Sequence, residues 1–217
     1  MIVVKFGGTS VGDADAICRA ADVVASRVER LPAVVVSAAS GTTTELLALA
    51  EQAARGQLIG ALRSVEHIRE RHVAMCETLL RDVPTGSDTT AEIAAMLDEV
   101  ASLAEALTTL GHITPRSLDA VASFGEQMSS LLVTEAFRAR GIPAQHVDAR
   151  EIVVTSDHFN EAEPSIDAIG DRARERVAPL IRSGVVPVLG GYIGATSTGV
   201  TTTLGRGGSD YTASLLG

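Results

Sequence analysis

The chain has 217 residues, 46% of them hydrophobic, and carries a formal net charge of -9 at pH 7. A chain of this length and composition can bury a core of its own, which excludes a disordered protein and makes one domain our expectation. The negative charge argues against a nucleic-acid or anionic-membrane surface, so a bound phosphate would have to be held by a local cluster of groups.

The cysteines and the N-terminal sequence indicate the cellular compartment that we expect for the protein. Cys18 and Cys76 lie far apart in predicted helices and lack the spacing of metal ligands, so we interpret them as reduced, buried thiols. The N-terminus has no signal-peptide pattern, and no apolar stretch approaches the roughly 18 residues that a membrane span needs. We therefore expect a soluble, cytoplasmic protein that has no membrane partner.

The first predicted element is a short strand that ends in the only lysine of the chain. The apolar residues 2 to 4 precede Lys5, and the glycine pair Gly7-Gly8 follows closely. Paired glycines let backbone N–H groups approach a phosphate, and a lysine is a compact point charge beside them. The motif is typical of an anion site, but taken alone it is equally typical of a polar cap on an edge strand.

From Asp13, apolar residues recur at helical spacing and predict a helix, which completes a first unit of strand, glycine loop and helix. A second unit repeats this order. The next strand, residues 34 to 36, runs into small and hydroxyl residues at 37 to 44 and a helix from Glu45. Ligands bind at the carboxyl ends of strands in open α/β sheets. An ordinary loop in which Thr44 caps the helix is the alternative.

Residues 57 to 140 contain no convincing strand and predict a long helical insert. Two stripes of apolar residues at helical spacing are separated by a break at residues 84 to 88, and Thr114-Pro115 marks the start of a further helix. Glu126 interrupts the apolar face of that helix. A solvated carboxylate is the usual fate of a glutamate, but the small residues around Glu126 indicate close packing and favour a functional role.

The last third of the chain returns to α/β patterning. Strands are predicted at residues 142 to 147 and 185 to 189, with an irregular polar stretch and then a helix from about 164 to 182 between them. The final motif places Arg206 among three glycines. Ser209 is positioned to cap a new helix whose N-terminus would face an anion.

The standard nucleophile and metal motifs are absent. The chain has no G-x-S-x-G, no Walker G-x-x-x-x-G-K and no H-E-x-x-H, and its five histidines are scattered. Glycine and hydroxyl loops at strand ends, one lysine, one arginine among glycines and the acids Glu126 and Asp210 suit phosphoryl transfer instead. That chemistry needs positioning and charge neutralisation, and an acceptor that is already anionic needs no general base.

Five motifs, taken together, resemble those of the aspartokinases, within the amino-acid kinase superfamily. The motifs are Lys5-Phe6-Gly7-Gly8-Thr9-Ser10, Ser37 to Gly41 with Thr43, Gly125-Glu126-x-Met128-Ser129, Gly191-Tyr192-Ile193-Gly194 and Thr202 to Tyr211. The helical insert is most similar to that of the monofunctional lysine-sensitive type. The resemblance implies an α/β fold, a three-layer α/β/α sandwich with a mainly parallel central sheet. It also implies that ATP phosphorylates the side-chain carboxylate of L-aspartate, the first step of lysine, threonine and methionine synthesis.

The resemblance implies roles for individual residues as well. Lys5 would be catalytic by stabilising the transferring phosphoryl group, and Asp210 would be catalytic by orienting Lys5. The residues implied for phosphate and ATP contacts are Lys5, Phe6, Gly7, Gly8, Ser37 and Gly41. Those implied for aspartate are Thr43, Glu126, Tyr192, Arg206, Gly207, Gly208 and Ser209. Within this second set, Arg206 would bind the α-carboxylate and Glu126 the α-amino group.

The implied cofactors are ATP and Mg²⁺, with no residue of the chain assigned as a metal ligand. Residues 1 to 217 would form the amino-acid-binding lobe of a kinase domain, and the nucleotide-binding half and ACT domains of the family would follow. We therefore expect a truncated fold that is inactive alone, and a homo-oligomer for the full-length protein. Two alternatives stay open: another amino-acid kinase, for example one acting on acetylglutamate or carbamate, and a non-catalytic fragment that binds aspartate.

Overall fold

The computed structural model describes residues 1 to 217, which form eight α-helices and seven β-strands. The helices are α1 (Ala14–Ala25), α2 (Thr42–Ala54), α3 (Leu58–Leu79), α4 (Gly86–Leu110), α5 (Pro115–Ala139), α6 (Ile166–Arg176), α7 (Ala178–Arg182) and α8 (Gly208–Leu216). The strands are β1 (Ile2–Phe6), β2 (Pro32–Val36), β3 (Ala144–Val147), β4 (Val154–Thr155), β5 (Val186–Gly190), β6 (Ile193–Thr196) and β7 (Thr201–Thr203). None of the helices combines the length and the apolar character needed to cross a membrane.

Four parallel strands form the central sheet in the order β1-β2-β5-β3. The two inner strands pair Val34 with Val188 and Val35 with Leu189, and these four side chains are fully buried. These two inner strands show no polar alternation because a parallel sheet is covered by helices on both faces. The predicted α/β fold with a mainly parallel central sheet is confirmed.

The two faces of the central sheet carry separate apolar cores. Val34 and Val188 belong to a core of 36 buried residues that helices α1 to α5 complete. Ala33 and Leu189 belong to a core of 11 buried residues shared with α6 and α7. Neighbouring residues of a strand point to opposite faces, which sorts them between the two cores. The result is the three-layer arrangement that the sequence predicted.

The stretch from 57 to 140, in which no strand was predicted, forms the three helices α3, α4 and α5. Thr114 caps the last of these helices by accepting a hydrogen bond from the backbone N–H of Ser117, as its sequence predicted. Every residue from 121 to 137 is buried, because α5 lies between the sheet and the other helices of the larger core. A helix buried on all sides must satisfy its polar groups within the protein.

Helix α2 begins earlier than the sequence predicted. Its first residue is Thr42, three positions before the expected Glu45. Gly41 has a φ of +82° and stands at the N-cap, a conformation that glycine adopts without strain. The alternative in which Thr44 caps this helix is therefore wrong, since Thr44 lies inside its first turn.

The last two helices also differ from their predicted starts and ends. Gly207, with a φ of +77°, is the N-cap of α8, so Ser209 lies within the first turn and does not cap the helix. The helix expected from 164 to 182 is divided in two at Val177. Pro179 lacks an N–H and clashes with the carbonyl one turn earlier, which prevents a continuous helix through this point.

A second sheet, with strand order β4-β6-β7, was not predicted. Strands β6 and β7 are antiparallel and pair Ile193 with Thr203, on either side of a turn in which Gly199 has a φ of +83°. Strand β4 lies in the stretch expected to be irregular. These strands have two to four residues, which is too short for a recognisable apolar alternation.

Candidate functional site

Loops at the carboxyl ends of β1, β2 and β5 meet the N-terminus of α8 in one open cleft of about 1210 Å³. Twelve of the fourteen residues named from the sequence line this cleft. They are Lys5, Gly8, Ser37, Gly41, Thr43, Glu126, Tyr192, Arg206, Gly207, Gly208, Ser209 and Asp210. Residues up to 205 positions apart in the sequence are thus brought to one edge of the sheet.

Phe6 and Gly7 are the two named residues that do not line the cleft. The Phe6 side chain belongs to the larger core, while its carbonyl accepts a hydrogen bond of 3.0 Å from the backbone N–H of Ser37. Gly7 lies against Lys5, because a Cβ added at Gly7 would be 3.7 Å from Lys5 Nζ. Backbone contacts from these two residues to a phosphate stay predictions.

Lys5 and Asp210 form an ion pair, with 3.0 Å between Nζ and Oδ1. The pair connects the end of β1 to the first turn of α8, where a carboxylate also interacts favourably with the helix dipole. The Asp210 side chain is 74% exposed, so the pair contributes at most about 1 kcal/mol to stability. The ion pair is therefore better suited to hold the Lys5 ammonium in one orientation than to stabilise the fold.

Two helix N-termini are directed at the cleft. Helix α2 starts after Gly41 and α8 after Gly207, and neither helix has a side-chain cap. The first-turn N–H groups of such helices are available to an anion. Thr43 and Ser209, one in each first turn, both line the cleft.

Arg71 attaches the start of α2 to the helical insert. Its guanidinium donates to Thr42 Oγ1 at 2.7 Å and pairs with Glu45 Oε1 at 3.1 Å. Both partners lie in the first turn of α2, directly behind the Gly41 N-cap. The insert therefore supports one wall of the cleft as well as filling the core.

Helix α5 approaches the loop after β2 closely because residue 125 is a glycine. A Cβ at Gly125 would lie only 2.8 Å from Ala38 Cβ. At this separation the backbone N–H of Ala38 donates to Glu126 Oε1 at 3.2 Å. One turn later, the hydroxyl of Ser129 donates to the Ser37 carbonyl at 2.8 Å. The Gly-Glu-x-x-Ser pattern in the sequence is thus a packing motif that also delivers a carboxylate to the cleft.

Glu126 is a buried carboxylate that has no cation beside it. The residue is 3% exposed, and its second oxygen, Oε2, has no hydrogen-bond partner. Burial raises the pKa of Glu126 to about 8, against the opposing effect of the hydrogen bond from Ala38. A buried, unpartnered carboxylate oxygen at a cleft is suited to a cationic group of a ligand.

Arg206 is the second cation that lines the cleft. Its residue is exposed, and its guanidinium forms no ion pair with any acid of the chain. The loop that carries it turns through Gly205 and Gly207, both at positive φ. A free guanidinium can bind a carboxylate with two parallel hydrogen bonds. Arg206 and Glu126 together offer complementary charges to the two groups of an α-amino acid.

Tyr192 stands at positive φ (68°) in the turn after β5. Its backbone N–H donates to Thr212 Oγ1 at 3.1 Å, and its carbonyl accepts from the backbone N–H of Leu204 at 2.8 Å. These bonds join the turn to α8 and to the loop that carries Arg206. Burial raises the pKa of the Tyr192 hydroxyl, which keeps it a neutral hydrogen-bond donor.

One wall of the cleft was not predicted from the sequence. Residues 158 to 161 and Glu163 line it, and they come from the stretch that was expected to be irregular. No motif marks them. The only available signal was the length of a polar segment without a helix or strand pattern, which is typical of binding loops.

The model of the amino acid kinase family matches residues 1 to 217. Lysine-sensitive aspartokinase 3 of Escherichia coli K12 is 40% identical to the chain over 221 residues, which cover 100% of this chain and 46% of that protein. The chloroplastic aspartokinase 1 of Arabidopsis thaliana is 31% identical, over 99% of this chain and 37% of that protein. The chain thus spans less than half the length of these relatives.

Solved structures agree with the sequence comparison. The crystal structure of E. coli aspartokinase III in complex with aspartate and ADP, in its R-state, matches with a TM-score of 0.89 at 40% identity, over 100% of this chain and 46% of that one. The aspartate kinase of Clostridium acetobutylicum, at 20% identity, shares the fold with a TM-score of 0.75, over 100% of this chain and 44% of that one. Because the family model covers its whole length, the chain belongs to the amino acid kinase family.

Proposed function

We propose that the chain binds L-aspartate and takes part in the phosphorylation of its side-chain carboxylate by ATP, which gives 4-phospho-L-aspartate. The observation that supports this most is that one cleft holds Lys5, an unpaired guanidinium, Arg206, and a buried carboxylate, Glu126, with one oxygen that has no partner. The relatives named above are aspartokinases, and one of them was crystallised with aspartate and ADP.

Each charged group of aspartate has a partner in this proposal. Glu126 binds the α-ammonium, and Arg206 binds the α-carboxylate. Thr43 and Ser209 supply hydroxyl groups from the first turns of α2 and α8. The side-chain carboxylate is the group left to react, and it needs no general base because it is ionised at neutral pH.

In the part of the cleft that we assign to phosphate, a small group of residues provides the positive charge and the hydrogen-bond donors. Lys5 and the backbone N–H groups of Gly7 and Gly8 are the groups we assign to phosphate, with Ser37 and Gly41 beside them. A Cβ at Gly8 would lie 2.9 Å from the Ala38 carbonyl oxygen, so this loop needs a glycine to stay close to its neighbour. Asp210 keeps the Lys5 ammonium in place while leaving it accessible.

ATP supplies the phosphoryl group in this reaction, and the chain's own residues bind, orient and neutralise charge. No three His, Cys, Asp or Glu side chains are grouped so as to hold a metal ion. We therefore assign Mg²⁺ to the nucleotide phosphates rather than to a protein cage, as is usual for this ion. We further propose that residues 1 to 217 act as the amino-acid-binding lobe, since the residues assigned to aspartate all line one cleft of this chain.

Isothermal titration calorimetry of the 217-residue chain tests the proposal with three ligands. L-aspartate carries both α-groups, succinate lacks the ammonium and β-alanine lacks the α-carboxylate. Glu126→Gln should weaken aspartate binding by about 10-fold or more and leave succinate unchanged, because each charged contact is worth about 1.5 to 3 kcal/mol. Arg206→Ala should weaken aspartate similarly and leave β-alanine unchanged.

Arg182 provides a matched control, because it is exposed, unpaired and outside the cleft. Arg182→Ala should bind all three ligands like the unchanged chain. The proposal fails if aspartate does not bind at millimolar concentration, or if Glu126→Gln and Arg206→Ala both bind it as tightly as the unchanged chain does.

A further inference from the structure

Asp119 is a second buried carboxylate of α5, and the proposed reaction does not use it. It is 1% exposed and has no cation beside it. Its partners are on other elements: the backbone N–H of Thr203 donates to Oδ2 at 2.9 Å, and the Thr203 hydroxyl donates to Oδ1 at 2.7 Å. Thr203 is the last residue of β7, so these bonds attach α5 to the strand that leads to Arg206.

Asp119 also holds the wall of the cleft that the sequence did not reveal. The backbone N–H of Asn160 donates to both carboxylate oxygens, at 3.1 Å and 3.0 Å. In the amide orientation that satisfies its own hydrogen bonds, Asn160 Nδ2 donates to Asp119 Oδ1 at 2.9 Å and to the Pro115 carbonyl at 3.2 Å. Asn160 has a φ of 72°, which is uncommon for a residue with a side chain. The carboxylate is therefore the acceptor that fixes an unusual backbone turn.

Two of the three elements joined at Asp119 lead to the groups that we assign to the α-carbon end of aspartate, and the third lines the cleft. Glu126 follows Asp119 by seven residues, close to two helical turns, and so lies on the same face of α5. Arg206 follows Thr203 by three residues. Asn160 lines the cleft itself, and its carbonyl oxygen would be 3.0 Å from a Cβ at Gly205. A shift at this junction would move Glu126 and Arg206 relative to each other.

Burial of the Asp119 carboxylate costs free energy, and its hydrogen bonds with Asn160 and Thr203 offset that cost. Burial raises the pKa of Asp119, and the hydrogen bonds from Asn160 and Thr203 oppose that rise. Loss of its carboxylate would leave the backbone N–H groups of Asn160 and Thr203 without acceptors inside the protein. An apolar side chain would fill the same space without connecting the three elements, so the carboxylate serves the geometry of the junction.

We propose that Asp119 is a positioning residue that sets the separation of Glu126 and Arg206, and thereby makes the cleft selective for a ligand with an ammonium and a carboxylate on one carbon. This inference rests on the proposed function, because it takes those two residues as the ligand's partners. A purely structural residue would change how much of the chain is folded. A positioning residue also changes the preference for aspartate over ligands that carry only one of the two groups.

The readout is the ratio of dissociation constants, succinate over L-aspartate and β-alanine over L-aspartate, measured by calorimetry on the folded 217-residue chain. Asp119→Asn keeps the size of the side chain but turns one acceptor into a donor facing N–H groups. It should lower both ratios by about 10-fold, which is the change in affinity expected when one or two buried hydrogen bonds are lost. Thr203→Val removes only the hydroxyl bond and should lower them by about 3-fold.

Thr89→Val is the matched control, since Thr89 is a buried threonine whose hydroxyl donates to the carbonyl of Thr85, the N-cap of α4. It should leave both ratios unchanged. If Asp119→Asn does not fold, Thr203→Val decides the question, because it keeps the backbone donor and the branched shape. Unchanged ratios in the folded Asp119 or Thr203 variants would overturn the inference while the proposed function stands. If the chain without any substitution shows no preference for aspartate over the other two ligands, the proposed function is refuted, and the inference with it.

Discussion

The α3-α4 helix pair and the cleft use polar groups in opposite ways. Between the helices, apolar side chains such as Ile93 and Leu97 are fully buried, and Thr89 donates to the N-cap carbonyl of its own helix. In the cleft, Glu126 Oε2 is buried without a partner and Arg206 is unpaired. Unsatisfied groups reduce stability until a ligand satisfies them. Stability and recognition therefore depend largely on different side chains, and they can be changed separately.

The largest expected effect on stability comes from the helix pair. Leu97→Ala would remove a fully buried side chain and should lower the free energy of unfolding by about 2 to 5 kcal/mol. Aspartate affinity of the folded protein should stay the same, because Leu97 does not line the cleft. Urea unfolding gives the first quantity and calorimetry the second. A weakened affinity in the folded variant would break the separation of the two regions.

Glu126 should make stability depend on pH in the opposite sense to most carboxylates. Its folded-state pKa is about 8, above its ordinary value of 4.5. Between these values the unfolded chain loses the proton and the folded chain keeps it, so rising pH lowers the free energy of unfolding by up to roughly 1.4 kcal/mol per pH unit.

The measurement is urea unfolding of the unchanged chain and of Glu126→Gln from pH 5 to pH 9. The variant has no carboxylate at this position, so the difference in stability should move in its favour as pH rises through the window and level off above pH 8. Parallel pH profiles for the two proteins would show that Glu126 ionises normally in the fold.

His72 is the polar exception within the helical layer. Its Nδ1 bonds the Ile68 carbonyl at 2.8 Å, its Nε2 is buried without a partner, and burial lowers its pKa below the ordinary 6.5. As pH falls below 6.5, the unfolded chain binds a proton that the folded chain does not, so stability falls.

His72→Leu should remove this acid-dependent loss. The stability difference between variant and unchanged chain should therefore grow in favour of the variant from pH 7 to pH 5, by at most about 1.4 kcal/mol per pH unit. Aspartate binding at pH 7 should not change. A constant difference across this range would mean that His72 protonates as easily in the folded chain as in the unfolded one.

Lys5→Met should have the smallest effect on stability. The ion pair with Asp210 is partly exposed, so its loss should lower the free energy of unfolding by at most about 1 kcal/mol. Aspartate binding should persist, because Lys5 is assigned to phosphate and not to the α-carbon end. Calorimetry with aspartate checks this, with Glu126→Gln as the contrasting variant. An aspartate affinity reduced as much as by Glu126→Gln would place Lys5 in the wrong half of the cleft.

The sequence revealed what is encoded locally and missed what depends on distant contacts. The lysine near the end of β1, the glycines after that strand and the Thr114 cap of α5 are contiguous motifs, and they were predicted at or near their observed places. Asp119 could not be found in this way, because its role depends on Thr203 and Asn160, which are 84 and 41 residues away. The β6-β7 hairpin is also local, but it was missed because its strands have only four and three residues, which is too short for a recognisable apolar alternation.

Proton release on aspartate binding tests most directly the claim that Glu126 is reserved for the ligand's ammonium. With a pKa of about 8, Glu126 is mostly protonated at pH 7 in the free chain, and an ammonium beside it would favour the ionised form. Calorimetry at pH 7 in two buffers of different ionisation enthalpy should therefore show release of close to one proton per aspartate bound by the unchanged chain, and none by Glu126→Gln. Equal proton counts for the two proteins would contradict this account of the cleft.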